Sequence, residues 1–206
     1  IKPMGDAEAK RLGDPSVVML LHPSGFGPGA FPYHPEKPPE RWFAELFVFV
    51  LHAATEGFRP LLLLPNADPG REHIAEVFES YHRVHRWAMA AHLPRAKFIA
   101  LLKRLARRGG MLAGNSSAGL IECAALGVPV LNVGPRQSGR ERGGNVIDLR
   151  DFESDPRSQR AINAALALGG RLRSSDLYGD GRAGSRIAAL LAITDPGPLI
   201  RKRNRY

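Results

Sequence analysis

The sequence predicts an α/β protein with a doubly wound, mainly parallel sheet. Short runs such as Val17–Leu21 and Pro60–Leu64 are apolar throughout, as expected for strands that are buried on both faces. Segments with helical periodicity separate these runs, which is the pattern of repeated strand–helix units. The sequence contains no internal repeat. Together these observations favour a Rossmann-like domain.

The first half of the sequence predicts strand, loop, helix and strand in that order. The strand Val17–Leu21 precedes Ser24–Pro39, which is too rich in Gly and Pro to be regular. Helical spacing from Glu40 to Glu56 stops at Gly57, before the strand Pro60–Leu64. The alternation then continues with a helix over Arg71–Tyr81, a strand within Val84–Ala91 and a helix over Arg95–Arg107.

The second half continues this alternation and indicates where a ligand binds. Its predicted elements are a strand over Met111–Ala113, a short helix over Ala118–Leu126 closed by Gly127, strands over Pro129–Val133 and Asn145–Leu149, and helices over Pro156–Leu168 and Gly181–Ile193. In such sheets ligands bind beyond the carboxyl ends of the strands. We therefore expect the site in the loops that follow Leu21, Leu64, Ala91, Ala113 and Val133.

Length and composition indicate one main domain. With 206 residues, 44% of them apolar, the chain can form a single buried core. We expect this domain to span residues 15–194, between a linker over residues 1–14 and a basic tail over residues 195–206. No segment reaches the roughly 18 consecutive apolar residues of a membrane span, so no membrane partner is expected. The lone cysteine, Cys123, and the lack of a secretion signal favour a reducing cytoplasm.

The formal net charge of +9 favours an anionic partner. Part of this charge lies in a terminal cluster that indicates a solvated end, formed by Arg201, Lys202, Arg203 and Arg205. No RNP-like strand, helix-turn-helix signature or basic run interleaved with aromatic residues is present, so nucleic acid is not expected as a partner. No Walker lysine motif or zinc-type cluster occurs either, and no cofactor or metal is predicted.

A loop of small residues, 114–119, follows a predicted strand and opens a helix. First-turn N–H groups have no intrahelical partner and the helix dipole favours negative charge, so a phosphate can bind there without a lysine. Ser116 and Ser117 add hydroxyl donors. A serine that only caps the helix would produce the same pattern. The residues alone leave both interpretations open.

Two further side chains lie near this loop. Glu122 is placed to accept hydrogen bonds from a ribose, or it simply complements the helix dipole as an early acidic residue. Arg136 follows the strand that ends at Val133, and the planar guanidinium suits phosphate oxygens. A role for Arg140 and Arg142 stays open between binding and a solvated basic loop.

Several distinctive segments follow one another along the chain: His22–Pro23, Pro65–Gly70, Gly114–Glu122, Leu126–Arg142, Asn145–Asp148 and Tyr178–Gly181. Together they resemble the C-terminal domain of UDP-N-acetylglucosamine 2-epimerases, and the similarity extends over about Val17–Leu191. The segment Asn-Val-Gly-Pro-Arg-Gln that begins at Asn132 is more similar to the hydrolysing branch, which releases N-acetylmannosamine and UDP.

The resemblance implies a role for each candidate site residue. His22 and Arg136 become candidates for the catalytic residues, although the residues alone indicate a structural histidine at a strand end. Phe98 would otherwise be a core residue of its helix. The implied contacts are Ser116 and Ser117 with the UDP phosphates, Glu122 with the ribose, Arg136 with the phosphate or catalytic region, His22 with the diphosphate side, Asn66 with the nucleotide or sugar, and the Leu93 backbone and Phe98 ring with the uracil.

The resemblance also implies partners. Family members have two Rossmann-like domains in the glycosyltransferase-B arrangement, and this chain corresponds to the second. The carboxylates proposed for proton transfer lie largely in the first, so a missing N-terminal domain or a second subunit would complete the enzyme, and a homo-oligomer is expected. A donor-binding half of a glycosyltransferase and a non-catalytic nucleotide-sugar-binding module are the alternatives. The Arg136 loop favours the epimerase over the glycosyltransferase, whereas the sequence does not separate the epimerase from the non-catalytic module.

Overall fold

A computed structural model describes residues 1–23, 34–54, 57–149, 156–169 and 172–197. The chain divides into two compact units, Ile1–Ser175 and Asp176–Tyr206. The first contains a six-stranded, wholly parallel sheet in the order β3-β2-β1-β4-β5-β6, which confirms the predicted fold class. Its strands are β1 (Val17–Leu20), β2 (Pro60–Leu63), β3 (Ala88–Ala90), β4 (Met111–Gly114), β5 (Val130–Val133) and β6 (Val146–Leu149).

The helices follow the predicted order. They are α1 (Asp6–Arg11), α2 (Pro39–Ala54), α3 (Arg71–His85), α4 (Arg95–Arg108), α5 (Ser117–Leu120), α6 (Glu122–Leu126), α7 (Pro156–Ala167) and α8 (Ala183–Ile193). None of them is long and apolar enough, within the described ranges, to cross a membrane. Most of the predicted irregular loop, residues 24–33, lies outside the described residues, as do residues 198–206 of the predicted tail.

Two helices differ from the prediction. The single helix predicted over Ala118–Leu126 is interrupted at Ile121, which separates α5 from α6. Helix α3 continues to His85 instead of ending at Tyr81. Its last turn carries histidines and an arginine, which suit a helix C-terminus, and the rings of Tyr81 and His85 stack with centroids 5.2 Å apart. Apolar periodicity does not show these terminal contacts, which is why the prediction stopped early.

Alternate residues of each strand face opposite layers of helices. Val17 and Met19 belong to a buried cluster with residues of α2, α3 and α7, including the fully buried Phe43. Val18 belongs to a second cluster, formed with α1, α4 and α6. Cys123 lies in this second cluster, where burial raises the pKa of its thiol, as expected for an inert buried cysteine. Both sheet faces are therefore covered, which explains why the strands are apolar throughout.

Residues 1–14, interpreted from the sequence as a linker, contain helix α1 and contact the domain. Arg104 of α4 is 8% exposed and donates to Asp6 Oδ1 at 2.6 Å and to Asp14 Oδ1 at 2.7 Å. These bonds lower the pKa of both carboxyl groups. Ala9 of α1 is fully buried. The boundaries of the domain remain predictions.

The strand order reverses between β1 and β4, and the two strands approach very closely there. Gly114 pairs with Leu20 at the carboxyl ends of both strands. A Cβ atom at Gly114 would lie 1.9 Å from the Leu20 carbonyl oxygen, and Gly114 has a φ of 146°. Both the space and the backbone conformation therefore require glycine.

We expect Gly114→Ala to destabilise the domain by at least about 2 kcal/mol, because the strands must separate and the backbone is strained. Urea denaturation followed by circular dichroism measures this. Gly144→Ala is the control, since Gly144 has open space around its Cβ position and no positive φ. Equal stability of the two variants would contradict the close approach.

Candidate functional site

A cavity of about 300 Å³ lies at the carboxyl edge of the sheet, beside the reversal of strand order. This reversal is where open α/β sheets bind ligands, because the loops on its two sides diverge and leave a crevice. The cavity is formed by the ends of β1 and β2, the segment after β3, and the starts of α4 and α5. Its lining residues are Leu20, His22, Leu63, Leu64, Pro65, Asn66, Ala91, His92, Leu93, Arg95, Phe98, Ser116 and Ala118.

The candidate residues from the sequence divide into two groups. Those that line the cavity are His22, Asn66, Leu93, Phe98 and Ser116. The others lie outside its lining but bond to residues at the same edge, or neighbour them. Ser117 follows Ser116 in the chain, Glu122 binds Arg95, and Arg136 binds the Asn115 carbonyl. The structure thus brings the loops together, whereas the roles of the residues remain predictions.

The surroundings of His22 determine its tautomer and favour its neutral form. The backbone N–H of Asn66 donates to His22 Nδ1 at 3.1 Å, so Nδ1 has no proton and the neutral ring carries its proton on Nε2. Burial lowers the pKa of His22, and the positive charge of Arg136 lowers it further. The contact with Asn66 and the Asp68 carboxylate act in the opposite direction without outweighing these effects. At neutral pH His22 is an uncharged ring that can donate from Nε2.

Ser116 caps helix α5, as the structural interpretation of this loop predicted. Its Oγ accepts from the Ala118 backbone N–H at 3.4 Å, and the residue is 7% exposed. A hydroxyl that accepts this bond still has its own hydrogen to donate. Capping and ligand binding are therefore compatible at Ser116.

Glu122 is paired with an arginine that the sequence analysis did not single out. Arg95 Nη1 lies 3.2 Å from Glu122 Oε1, and the Arg95 side chain is 80% exposed and lines the cavity. Arg95 is the first residue of α4, directly after Pro94. A cation at a helix N-terminus opposes the dipole. That mismatch is a signal from which Arg95 could have been identified as a candidate for binding an anion.

Arg136 lies in a 3-10 turn, Pro135–Gln137, which follows β5. Its Nη1 donates to the Asn115 carbonyl at 3.3 Å, and its Nη2 is 3.9 Å from Asp68 Oδ2. The neighbouring Arg142, left open by the sequence, instead forms an ion pair with Asp148 at 3.0 Å. Arg136 is thus the arginine of this loop that is oriented towards the strand reversal.

Asp180 belongs to the second unit and accepts hydrogen bonds at the start of helix α8. Its Oδ1 accepts from the Arg182 backbone N–H at 3.0 Å, just before α8. Arg186 also donates to both carboxylate oxygens, at 2.9 and 2.7 Å. These bonds lower the pKa of Asp180. It therefore stabilises the start of α8.

The parallel sheet and the cavity at its strand reversal define a Rossmann-like ligand-binding domain. A family model described as UDP-N-acetylglucosamine 2-epimerase matches residues 30–192. This match extends over most of the sheet and over the loops after β2, β3, β4 and β5. The chain belongs to the UDP-N-acetylglucosamine 2-epimerase family.

Individual relatives agree with this assignment. The chain is 33% identical over 179 residues to a UDP-N,N'-diacetylbacillosamine 2-epimerase (hydrolyzing) of Legionella pneumophila, covering 84% of this chain and 45% of the relative. It is 32% identical over 119 residues to a UDP-N-acetylglucosamine 2-epimerase of Neisseria meningitidis, covering 58% of this chain and 29% of the relative. The chain thus spans less than half the length of these relatives.

A solved structure shows the same fold. The UDP-GlcNAc 2-epimerase of Neisseria meningitidis, bound to UDP-GlcNAc, superposes with a TM-score of 0.59 at 17% identity. The superposition covers 92% of this chain and 48% of that structure. The likeness confirms the architecture predicted from the sequence, that of one Rossmann-like part of such an enzyme.

We expect the protonation of His22 to make stability depend on pH. Its pKa is lowered in the folded protein, so below about pH 6.5 the unfolded chain binds the proton first. This contribution to stability is fully present above that pH and is lost as the pH falls towards the lowered pKa. His22→Asn should therefore lose less free energy of unfolding than the wild type between about pH 7 and about pH 5.

Urea denaturation at several pH values measures this difference. His92→Asn is the matched control, because it removes an exposed histidine that lines the same cavity. It should retain the wild-type pH dependence. If His22→Asn retains it too, His22 is not the neutral, partly buried group described here.

Proposed function

We propose that this chain is the UDP-binding part of a hydrolysing 2-epimerase that acts on a UDP-linked 2-acetamido sugar. The observation that supports this most strongly is the cavity at the strand reversal, formed by the loops that match the family. A nucleoside diphosphate needs donors for its phosphates, acceptors for its ribose and an apolar surface for its base. The cavity and its immediate neighbours offer all three.

The phosphates are assigned to the start of α5 and the loops beside it. Ser116 and Ser117 supply hydroxyl groups and first-turn backbone N–H groups, where the helix dipole favours an anion. His22 supplies a neutral Nε2–H donor. Arg136, and the exposed Arg95 on the opposite side, supply positive charge. The diphosphate would thus be bound without a metal ion or a lysine.

The ribose and uracil are assigned to the other side of the cavity. Glu122 accepts from the ribose hydroxyls after giving up or sharing its contact with Arg95. An ion pair with so exposed a partner contributes little, so this exchange costs little. The Leu93 backbone and the Phe98 ring frame the base, and Asn66 contacts the nucleotide or sugar. Asn66 Nδ2 now donates to Asp68 Oδ2 at 2.6 Å, which leaves its side-chain oxygen for a ligand donor.

The reaction that the family implies is anti elimination of UDP to a glucal, followed by addition of water with the opposite configuration at C2. Elimination needs a base for the C2 proton and stabilisation of the departing diphosphate. The His22 and Arg136 donors suit the second task. No carboxylate lines the cavity among the described residues, so the base is assigned to a further domain or a second subunit. Assembly into a homo-oligomer and a cytoplasmic location also remain predictions.

A second sugar is a specific candidate. The relative that is 33% identical over 84% of this chain is named for UDP-N,N'-diacetylbacillosamine, and it is a hydrolyzing enzyme. That substrate and UDP-N-acetylglucosamine share the nucleotide that this chain is proposed to bind. Substrate choice would therefore depend on contacts to the sugar, and UDP binding by this chain would be common to both.

Calorimetric titration with UDP, beside ADP, tests the proposed site. We expect UDP to bind with a Kd on the order of micromolar and more tightly than ADP. Ser117→Ala and Glu122→Ala should each weaken binding by about ten- to a hundredfold, since a hydrogen bond with a charged partner contributes about 1.5 to 3 kcal/mol. Ser80→Ala and Glu79→Ala are matched controls on the exposed surface of α3 and should bind UDP like the wild type.

The result decides between the candidate functions. UDP binding that the two site variants weaken supports a UDP-binding part of an enzyme. If UDP does not bind, the titration is repeated with a protein that also contains the N-terminal domain found in family members. Binding then would show that the cavity needs its partner domain, whereas continued absence of binding would contradict the assignment. In that completed protein, release of N-acetylmannosamine from UDP-N-acetylglucosamine, compared with turnover of the diacetylated sugar, identifies the substrate.

A further inference from the structure

Asn115 lies at the strand reversal, directly after β4, and is fully buried. The backbone N–H of His22 donates to Asn115 Oδ1 at 2.7 Å, and Asn115 Nδ2 donates to the His22 backbone carbonyl at 2.8 Å. The backbone N–H of Asn115 donates to the Leu20 carbonyl at 3.3 Å. The side-chain amide therefore acts like a peptide group that continues the pairing of β1 with β4 beyond the ends of both strands.

The main-chain carbonyl of Asn115 holds a different loop. It accepts from Gln137 Nε2 at 2.8 Å and from Arg136 Nη1 at 3.3 Å. Gln137 is only 2% exposed, so this contact is shielded from water. A single buried residue thus connects the loop after β1 with the loop after β5, although these loops are far apart in the sequence.

The position of the His22 backbone also determines the state of its ring. The Asn66 N–H reaches His22 Nδ1 at 3.1 Å, which is near the upper end of the usual range for such a bond. A small movement of the His22 backbone would break this bond and release the ring from its Nε2–H tautomer. The Asn115 side chain forms hydrogen bonds with both the N–H and the carbonyl of the His22 backbone, and so fixes its position.

We propose that Asn115 is a positioning residue, which places His22 and Arg136 so that both direct hydrogen-bond donors at the same anion. This inference rests on the proposed function, in which that anion is the diphosphate of UDP. Donors that must be placed within about 0.5 Å need a rigid support, and a fully buried amide with several hydrogen bonds provides one. Asn115 itself need not touch the ligand.

A buried asparagine can also be purely structural, and Asn145 is the example in this chain. It is 4% exposed, and its Nδ2 donates to the carbonyls of Gly119 and Val128 at 3.2 and 3.1 Å. It resembles Asn115 in burial and in its backbone partners, but its amide holds neither His22 nor Arg136. Asn145→Ala is therefore the matched control for Asn115→Ala.

The test observes the His22 ring directly. Two-bond ¹H–¹⁵N correlation spectra of the whole chain, recorded from about pH 5 to about pH 8, report the tautomer and the pKa of each histidine. We expect His22 of the wild type and of Asn145→Ala to be in the Nε2–H tautomer with a lowered pKa. In Asn115→Ala both tautomers should appear, and the pKa should move towards its ordinary value of about 6.5.

UDP titrations provide the second measurement. Asn115→Ala should weaken binding by about tenfold, and this loss should not add to that of His22→Asn, because the substitution leaves the main-chain carbonyl that holds Arg136 and therefore acts through His22. If Asn115→Ala does not fold, Asn115→Asp is used, which retains the acceptor for the His22 N–H and removes the donor to its carbonyl. Both tautomers of the His22 ring should then appear. For this variant the tautomer is the readout, because the new carboxylate raises the His22 pKa by its charge alone.

The outcomes separate the two proposals. Wild-type His22 signals in a folded Asn115 variant, or fully additive losses of UDP affinity, would overturn the positioning role, whatever happens to stability. If UDP does not bind even when the N-terminal domain found in family members is also supplied, the proposed function fails. The ring spectra then still decide whether Asn115 sets the state of His22.

Discussion

The close approach of β1 and β4 at the reversal of strand order is the constraint on which the rest of the site depends. Gly114 makes this approach possible, because any side chain there would collide with the Leu20 carbonyl. The next residue, Asn115, uses the short distance to bind the backbone of His22 through its amide. Ser116 then caps the helix whose N-terminus faces the cavity. Three consecutive residues therefore shape the edge of the cavity at which the proposed function places the diphosphate.

The large positive net charge of the chain contributes little to the binding of an anion at this cavity. Several arginines form local ion pairs: Arg104 pairs with Asp6 and Asp14, and Arg142 pairs with Asp148. Such pairs stabilise particular contacts and leave little field for an outside ligand. What favours an anion at the cavity is the local arrangement, in which a helix N-terminus and Arg95 lie together without a lining carboxylate among the described residues.

Local pattern explains most of the fold and only part of the site. Runs that are apolar throughout identified the strands, because both faces of this sheet are covered. Two features depend on residues far apart in sequence, so periodicity could not show them: the pairing of Arg95 with Glu122, and the hydrogen bonds of Asn115 to a residue 93 positions away. His22 was identified by resemblance and Arg136 by its place after a strand. Only the structure shows that both bind the buried Asn115.

The protonation state of His22 limits the chemistry that this chain can perform. An uncharged ring whose Nδ1 is occupied by a backbone donor can offer one hydrogen bond from Nε2, and it has no free basic nitrogen with which to remove a proton from the sugar. Arg136 retains its charge at any relevant pH. Both groups therefore suit the binding of a diphosphate and the stabilisation of charge as it leaves, and neither suits proton abstraction at C2. In the proposed reaction the chain thus controls the departure of UDP, and the acid–base steps at the sugar require carboxylates supplied from outside this cavity.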